Sequence, residues 1–108
     1  MARFSRLQVW TTMEEQGVVP LFYDGDVERA SKTAAAIAAG GAKVIEFTNR
    51  GDRAFEVFRE LLLILQKTYP DLILGVGSVM DAPTAGLYIN LGANFVVGSS
   101  TNDEVARL

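Results

Sequence analysis

The chain has 108 residues, 49% of them hydrophobic, and a net charge of −3, which suits one compact domain. It contains no Cys and no His, which excludes disulfides, thiol nucleophiles, Ser-His-Asp triads and the usual zinc sites. The basic residues form no stripe, and no apolar stretch is long enough for a signal peptide or a membrane span. We therefore expect a cytoplasmic protein with no cofactor or metal, and with neither nucleic acid nor a membrane as partner.

A leading helix and four strand-helix units are predicted along the chain. Residues 1–16 form the helix, with apolar positions at Phe4, Leu7, Val9, Trp10 and Met13. Short apolar runs rich in β-branched and aromatic residues predict buried strands at 18–23, 43–48, 72–76 and 94–97.

An Asp follows each predicted strand and is suited to accept the free N–H groups that open a helix. These residues are Asp26, Asp52, Asp81 and Asp103. At the fourth unit, Thr101 and Glu104 have the spacing of a capping box, which would start that helix at Thr101 instead of Asp103.

Residues 1–108 are predicted to form a single domain, of which residues 17–108 make up the four βα units. Strands that are apolar throughout and alternate with helices indicate an α/β fold with a parallel sheet. A closed TIM (β/α)8 barrel takes about 200 to 250 residues, so four units amount to a half-barrel. An open, flavodoxin-like parallel sheet is the alternative.

Glu46 interrupts the apolar second strand. Val44, Glu46 and Thr48 share one face of that strand. A buried carboxylate needs a partner, and Arg50 is near enough in the sequence to supply charge or a hydrogen bond. Both residues would lie at the carboxyl ends of the strands, where βα folds keep their active sites. The alternative is a structural ion pair, which the residues taken alone favour.

Two segments with small residues follow predicted strands. Gly75-Val76-Gly77-Ser78 closes the third strand and lets a ligand approach, with Ser78 able to hold an anionic oxygen; a tight turn explains it equally well. The segment lacks the third Gly of a dinucleotide fingerprint and the Lys of a P-loop, which disfavours nucleotide binding. Gly98-Ser99-Ser100-Thr101 is interpreted as an anion-binding nest or as a polar linker introduced by engineering, and we favour the linker.

The second helix of the βα units contains five consecutive apolar residues, Leu61, Leu62, Leu63, Ile64 and Leu65. Such a run extends around most of a helix, whereas one buried face needs fewer apolar positions. Packing against neighbouring helices explains part of the run, and a contact with another protein explains the rest.

Four segments together resemble the 2-keto-3-deoxy-6-phosphogluconate (KDPG) / 4-hydroxy-2-oxoglutarate (KHG) aldolase family, in order and over nearly the whole chain. They are Pro20-Leu21-Phe22, the stretch from Gly40 to Arg50 that contains Glu46-Phe47-Thr48-Asn49-Arg50, Gly75-Val76-Gly77-Ser78-Val79 and Gly92-Ala93-Asn94-Phe95. The resemblance implies the N-terminal half of a (β/α)8 class I aldolase, commonly a trimer. Such an enzyme cleaves a 2-oxo acid to pyruvate and an aldehyde through a lysine Schiff base.

The resemblance also implies roles for site residues. Glu46 would be the general acid/base, and Arg50 would bind the substrate carboxylate. Ser78 stands where the family usually has a pyruvate-contacting Thr, and Thr48 and Gly77 would complete the substrate-binding set.

Departures from the family pattern point away from activity of this chain alone. The family's Schiff-base lysine lies on a sixth strand, which these residues do not include, and neither Lys32, Lys43 nor Lys67 readily replaces it. Gly98-Ser99 stands where Ser-Pro or Thr-Pro is common, and Phe22-Tyr23 where many members place an Arg.

We interpret the chain as a natural fragment or an engineered half-barrel, and favour the engineered one. The first hypothesis is a structural or assembly module without aldolase activity alone, because two copies can pair first strand to fourth and close eight strands. We expect this self-association through the open edges and the apolar run Leu61–Leu65. The second hypothesis is a residual lyase on 2-oxo acids that uses Glu46 and Arg50 after oligomerisation. The third is a small-anion binder at the Gly77-Ser78 and Ser99–Thr101 turns.

Overall fold

A leading helix is followed by four alternating strand-helix units in a computed structural model, which describes all residues from Met1 to Leu108. The elements are α1 (Arg6–Gln16), β1 (Leu21–Phe22), α2 (Val27–Ala39), β2 (Val44–Thr48), α3 (Ala54–Thr68), β3 (Ile73–Val79), α4 (Ala82–Leu91), β4 (Val96–Gly98) and α5 (Asp103–Ala106). All strand pairs are parallel, in the order β1-β2-β3-β4. The predicted α/β class is confirmed, and the sheet is open, with β1 and β4 at its edges.

The two faces of the sheet bury different residues. Ile45 and Phe47 of β2 point into a core formed with α2, α3 and α4. Val44 points the other way, into a smaller cluster with Val9 of α1 and Ile73 of β3. We call the face that carries Val44 the inner face; Glu46 and Thr48 share it because side chains alternate along a strand.

Aromatic rings join the helices to the outer face of the sheet. The Phe47 ring lies 6.3 Å from that of Phe58 on α3, and Phe58 meets Tyr88 of α4 edge-on at 5.1 Å. On the other side of Phe47, the ring of Phe22 on β1 lies 5.5 Å away. Edge-on pairs at these distances add stability beyond the apolar area they bury.

Two of the four predicted helix caps are confirmed. Asp26 accepts from Arg29 N at 2.9 Å, and Asp81 from Thr84 N at 2.8 Å. The prediction for Asp52 is wrong, because α3 follows Arg53, which has a left-handed backbone and no side-chain cap.

Neither Thr101 nor Asp103 caps the last helix as predicted, although the helix begins at Asp103. Asn102 caps α5 by accepting from Glu104 N and Val105 N, at 3.0 and 3.2 Å. Its amide also donates to the carbonyl of Met80 at 3.2 Å. An amide can accept and donate at once, whereas an ionised carboxylate only accepts.

The strand boundaries differ from the predicted ranges. β1 contains two residues instead of 18–23, since Pro20 has no N–H and contributes only its carbonyl, which accepts from Glu46 N at 2.9 Å. β3 continues to Val79, so Gly75-Val76-Gly77-Ser78 lies inside the strand and does not close it. β4 begins at Val96, two residues later than predicted.

The leading helix is attached to the sheet by fewer side chains than its apolar pattern predicts. Val9 is buried, while Leu7 and Trp10 are 75% and 71% exposed. Gln16 attaches the end of the helix, because its side chain accepts from Lys43 N at 2.5 Å and donates to Val44 O at 3.1 Å. None of the five helices is long and apolar enough to cross a membrane.

The apolar run of α3 belongs mainly to the chain's own core. Leu61, Leu62 and Leu65 are buried there, while Leu63 is 48% exposed. Expecting all five residues of the run to form a surface for association is therefore wrong. Leu63 is the only exposed residue of the five, and Ile64 is half-buried.

Truncation of two neighbouring leucines in α3 checks this packing. Leu61→Ala removes a fully buried side chain and is expected to lower the free energy of unfolding by about 2 to 5 kcal/mol. The control, Leu63→Ala, removes a partly solvated side chain and should change it by about 0.5 kcal/mol or less. Urea denaturation followed by circular dichroism measures both. Equal losses would contradict the described burial.

Candidate active site

The predicted site residues lie near the carboxyl ends of the two central strands. Glu46 pairs in register with Gly75, and Thr48 with Gly77. Paired residues in a parallel sheet share a face, so these four lie together on the inner face. Thr48 is buried, and its hydroxyl donates to Phe22 O at 3.4 Å. Ser78 is the next residue of β3 after Gly77.

Each glycine of β3 lies beneath a side chain from a neighbouring segment, Glu46 of β2 for Gly77 and Phe95, just before β4, for Gly75. A Cβ placed on Gly77 would overlap the carboxylate of Glu46, and one on Gly75 would overlap the ring of Phe95. The glycines therefore make room for these two protein side chains. The predicted purpose, close approach of a ligand, is not needed to explain either position.

The carboxylate of Glu46 is largely desolvated, retains a small contact with solvent, and has no hydrogen-bond partner within the chain. The residue is 8% exposed, and its side chain makes neither a hydrogen bond nor an ion pair. Burial raises the pKa of Glu46 above its ordinary value, while the charge of Arg50 opposes this increase. A carboxyl in such an environment can hold a proton that an exposed glutamate would release.

The predicted ion pair between Glu46 and Arg50 is not formed. Arg50 lies in the turn after β2, where its N–H donates to Thr48 O at 2.9 Å, and the residue is exposed. Its charge acts on Glu46 only through space. The arginine is left free to meet an anion at the rim of the sheet, since its side chain forms no ion pair within the chain.

Ser78 occupies a β-bulge that the sequence did not reveal. Val76 pairs with Val96, and Val79 with Gly98, so β3 has one residue more than β4 between these pairs. Ser78 has a left-handed backbone, with φ of 58°. A residue other than glycine is strained there, and such strain and bulges concentrate near functional sites, where they redirect a side chain.

A hydrogen-bonded pair behind the sheet was also missed. The hydroxyl of Tyr88 on α4 donates to Asn49 Oδ1 at 2.8 Å, and Asn49 N donates to Gly77 O at 2.8 Å. Burial raises the pKa of Tyr88 to about 12, with a smaller contribution from Glu56. The 39 residues that separate Tyr88 from Asn49 leave no local signal in the sequence.

Two other places in the chain are less suited to bind a ligand or to support catalysis. At the start of α5, the side chain of Asn102 occupies the N–H groups of Glu104 and Val105, which an anion-binding nest would need free. A cavity of about 460 Å³ lies at the opposite ends of β2 and β3, beside Lys43 and Asp71, and does not include Glu46.

A sequential parallel sheet with a buried carboxyl near the carboxyl ends of its central strands is the arrangement of (β/α)8 enzymes. The family described as KDPG and KHG aldolase matches residues 9–108. The chain therefore belongs to the KDPG and KHG aldolase family, as its resemblance implied.

Individual relatives agree with this assignment. The 2-dehydro-3-deoxy-phosphogluconate aldolase of Dickeya dadantii is 32% identical over 103 residues, which are 91% of this chain and 46% of the relative. The KHG/KDPG aldolase of Escherichia coli K12 is 28% identical over 90 residues, 83% of this chain and 40% of the relative. The chain thus spans about half the length of the curated relatives it matches.

Solved structures show the same fold. The KDPG aldolase of Zymomonas mobilis ZM4, determined with 3-phosphoglycerate, superimposes with a TM-score of 0.78 at 24% identity, covering 95% of this chain and 47% of that one. The KDPG aldolase of Legionella pneumophila was captured with pyruvate as a covalent carbinolamine; its TM-score is 0.69 at 28% identity, covering 81% and 40%.

The raised pKa of Glu46 predicts a pH dependence of stability. Because the folded pKa lies above the unfolded one, the stabilisation is fully present below the unfolded pKa and is lost as pH rises through the folded pKa. The stability of the wild type relative to Glu46→Gln should therefore fall as the pH rises from the ordinary pKa of a glutamate, about 4.3, through the higher pKa of the folded chain. Urea denaturation of both chains across this range measures it. A difference that does not change with pH would contradict the desolvation of Glu46.

Proposed function

We propose that this chain is a structural and assembly module derived from a class I, Schiff-base KDPG/KHG aldolase, and that the polypeptide of these 108 residues has no aldolase activity alone. The observation that carries the proposal is the open sheet, whose edge strands β1 and β4 leave Leu21 and Val97 53% and 40% exposed, in a chain that spans about half of its relatives.

The proposed roles follow the placement of the side chains. Glu46 corresponds to the general acid/base that moves protons on a 2-oxo acid, a vestigial role in this chain alone, and burial raises its pKa in the direction that such a role requires. Arg50, exposed at the rim, binds the carboxylate of that acid. Thr48, Gly77 and Ser78 line the same end of β2 and β3.

The three lysines are poorly placed to form a Schiff base. Such a lysine needs a lowered pKa, which burial or a neighbouring cation provides. Lys43 is exposed before the start of β2, at the end of that strand opposite to Thr48. Lys32 pairs with Glu28 at 3.2 Å on the surface of α2, and Lys67 is exposed in the last turn of α3.

The edges of the sheet support self-association. Leu21 of β1 is 53% exposed, and its pairing with Glu46 places it on the inner face. Val97 of β4 is 40% exposed and alternates with Val96, which packs in the helix-covered core. Both edge strands thus present apolar side chains beside unpaired backbone groups, and a second copy that pairs β1 with β4 covers both.

Engineering as the origin of the half-barrel also stays a proposal. The exposed run Ser99-Ser100-Thr101 after β4 supports it, because these small polar residues suit a solvated surface.

Reduction with borohydride in the presence of pyruvate tests the lack of activity. We expect the intact mass of the chain to stay unchanged, because no desolvated lysine is available to form the imine that borohydride reduces. A relative with a Schiff-base lysine serves as the positive control. A lysine adduct, located by peptide mass spectrometry, would contradict the proposal.

A second candidate function is weak proton transfer on 2-oxo acids in the assembled state, which the desolvation of Glu46 favours. It would exchange the methyl protons of pyruvate in deuterated water, and Glu46→Gln would lose that exchange. Proton NMR of pyruvate follows the reaction. Exchange equal to the protein-free rate would exclude this candidate and leave the assembly module.

Light scattering coupled to size exclusion tests the assembly. We expect a dimer for the wild type, and Leu21→Lys should weaken the association at least about tenfold, since it places a charge on the edge that pairs. Leu87→Lys is the matched control, because Leu87 is 55% exposed but lies on α4, away from both edges. A monomeric wild type, or equal effects of the two substitutions, would contradict the pairing of edges.

A further inference from the structure

The side chain of Glu46 occupies the place where most residues at position 77 would have their Cβ. Glu46 pairs with Gly75, two residues before Gly77, so its side chain reaches along β3 toward the carboxyl end of the strand. Its Cγ would lie 3.1 Å from a Cβ on Gly77, and its carboxylate would overlap that atom. The whole end of the side chain therefore lies against the Gly77 backbone.

Backbone conformation does not explain this glycine. Gly17, Gly41 and Gly92 are the glycines with positive φ, and Gly77 is not among them. An alanine would adopt the same backbone conformation without strain. Only the space taken by Glu46 opposes a side chain at this position.

The backbone beneath the carboxylate is held in place from behind. Asn49 N donates to Gly77 O, and Asn49 Oδ1 accepts from the hydroxyl of Tyr88, both at 2.8 Å. Tyr88 is 1% exposed within the main core. This chain of hydrogen bonds fixes Gly77 just before the bulge at Ser78, so the surface on which Glu46 rests cannot easily move away.

We propose that Gly77 is a positioning residue, whose missing side chain lets the carboxyl of Glu46 lie against β3, shielded from solvent and directed toward the rim of the site. This inference rests on the proposed acid/base role of Glu46. In that position the neighbouring backbone replaces water around the carboxyl, and burial raises its pKa.

The test is Gly77→Ala, with the titration of Glu46 followed by carbon NMR of its carboxyl. We expect the new Cβ to push the carboxylate into solvent, so that the pKa of Glu46 falls toward its ordinary value, and the Tm to fall as well. A role for Gly77 in packing alone would lower the Tm without changing this titration.

Two glycine variants serve as controls. Gly86→Ala places its Cβ in open space on α4 and should keep or raise the Tm. Gly75→Ala displaces the ring of Phe95 and should lower the Tm while Glu46 titrates as in the wild type. If Glu46 titrates in Gly77→Ala as it does in Gly86→Ala, and the two variants have the same Tm, the proposal is overturned.

Second-site changes keep the test decisive. Glu46→Asp shortens the side chain by one methylene and should recover part of the Tm that Gly77→Ala loses, although it lowers the Tm of the wild type. If Gly77→Ala alone does not fold, adding Glu46→Ala removes the overlapping carboxyl and should restore folding. A double variant as unstable as Gly77→Ala overturns the proposal. These readouts need no activity, so the borohydride and exchange experiments decide the proposed function separately.

Discussion

The pairing of β2 with β3 is the constraint on which both the core and the site depend. Five consecutive residue pairs join the strands, from Val44 with Ile73 to Thr48 with Gly77. β2 is buried along its whole length and β3 at every residue except Ser78, so their backbone groups must bond to each other. A slip of one residue would turn Glu46 into the apolar core between sheet and helices, which makes the register costly to change.

The edges contrast with this centre. β1 contributes two residues and β4 three, whereas β3 contributes seven. Most of the buried area lies between the central strands and α2 to α4, so stability comes mainly from the middle of the sheet. Leu21 and Val97, at the edges, stay partly in water, where the proposed second copy would cover them. The unit can thus fold by its centre and still present edges for a partner.

The sequence predicted those features that depend on local patterns. Alternation of apolar and polar residues placed Glu46 and Thr48 on one face, and the caps at Asp26 and Asp81 follow from spacing alone. Features that depend on distant partners were missed. Asn49 meets Tyr88 only in the folded chain, and whether Arg50 reaches Glu46 depends on the turn that follows β2. The apolar pattern of a helix also does not show how much of its surface is covered by other parts of the chain.

The glycines of β3 have a structural role that the sequence alone does not reveal. The pattern of Gly75 and Gly77 predicts a turn or the approach of a ligand, but each glycine makes room for a neighbouring side chain, Phe95 or Glu46. The environment of Glu46 is therefore produced by a missing side chain, and only the distant charge of Arg50 partly offsets its burial. A carboxylate buried in this way destabilises the fold when ionised. Its position at the carboxyl ends of the central strands agrees with the proposed acid/base role.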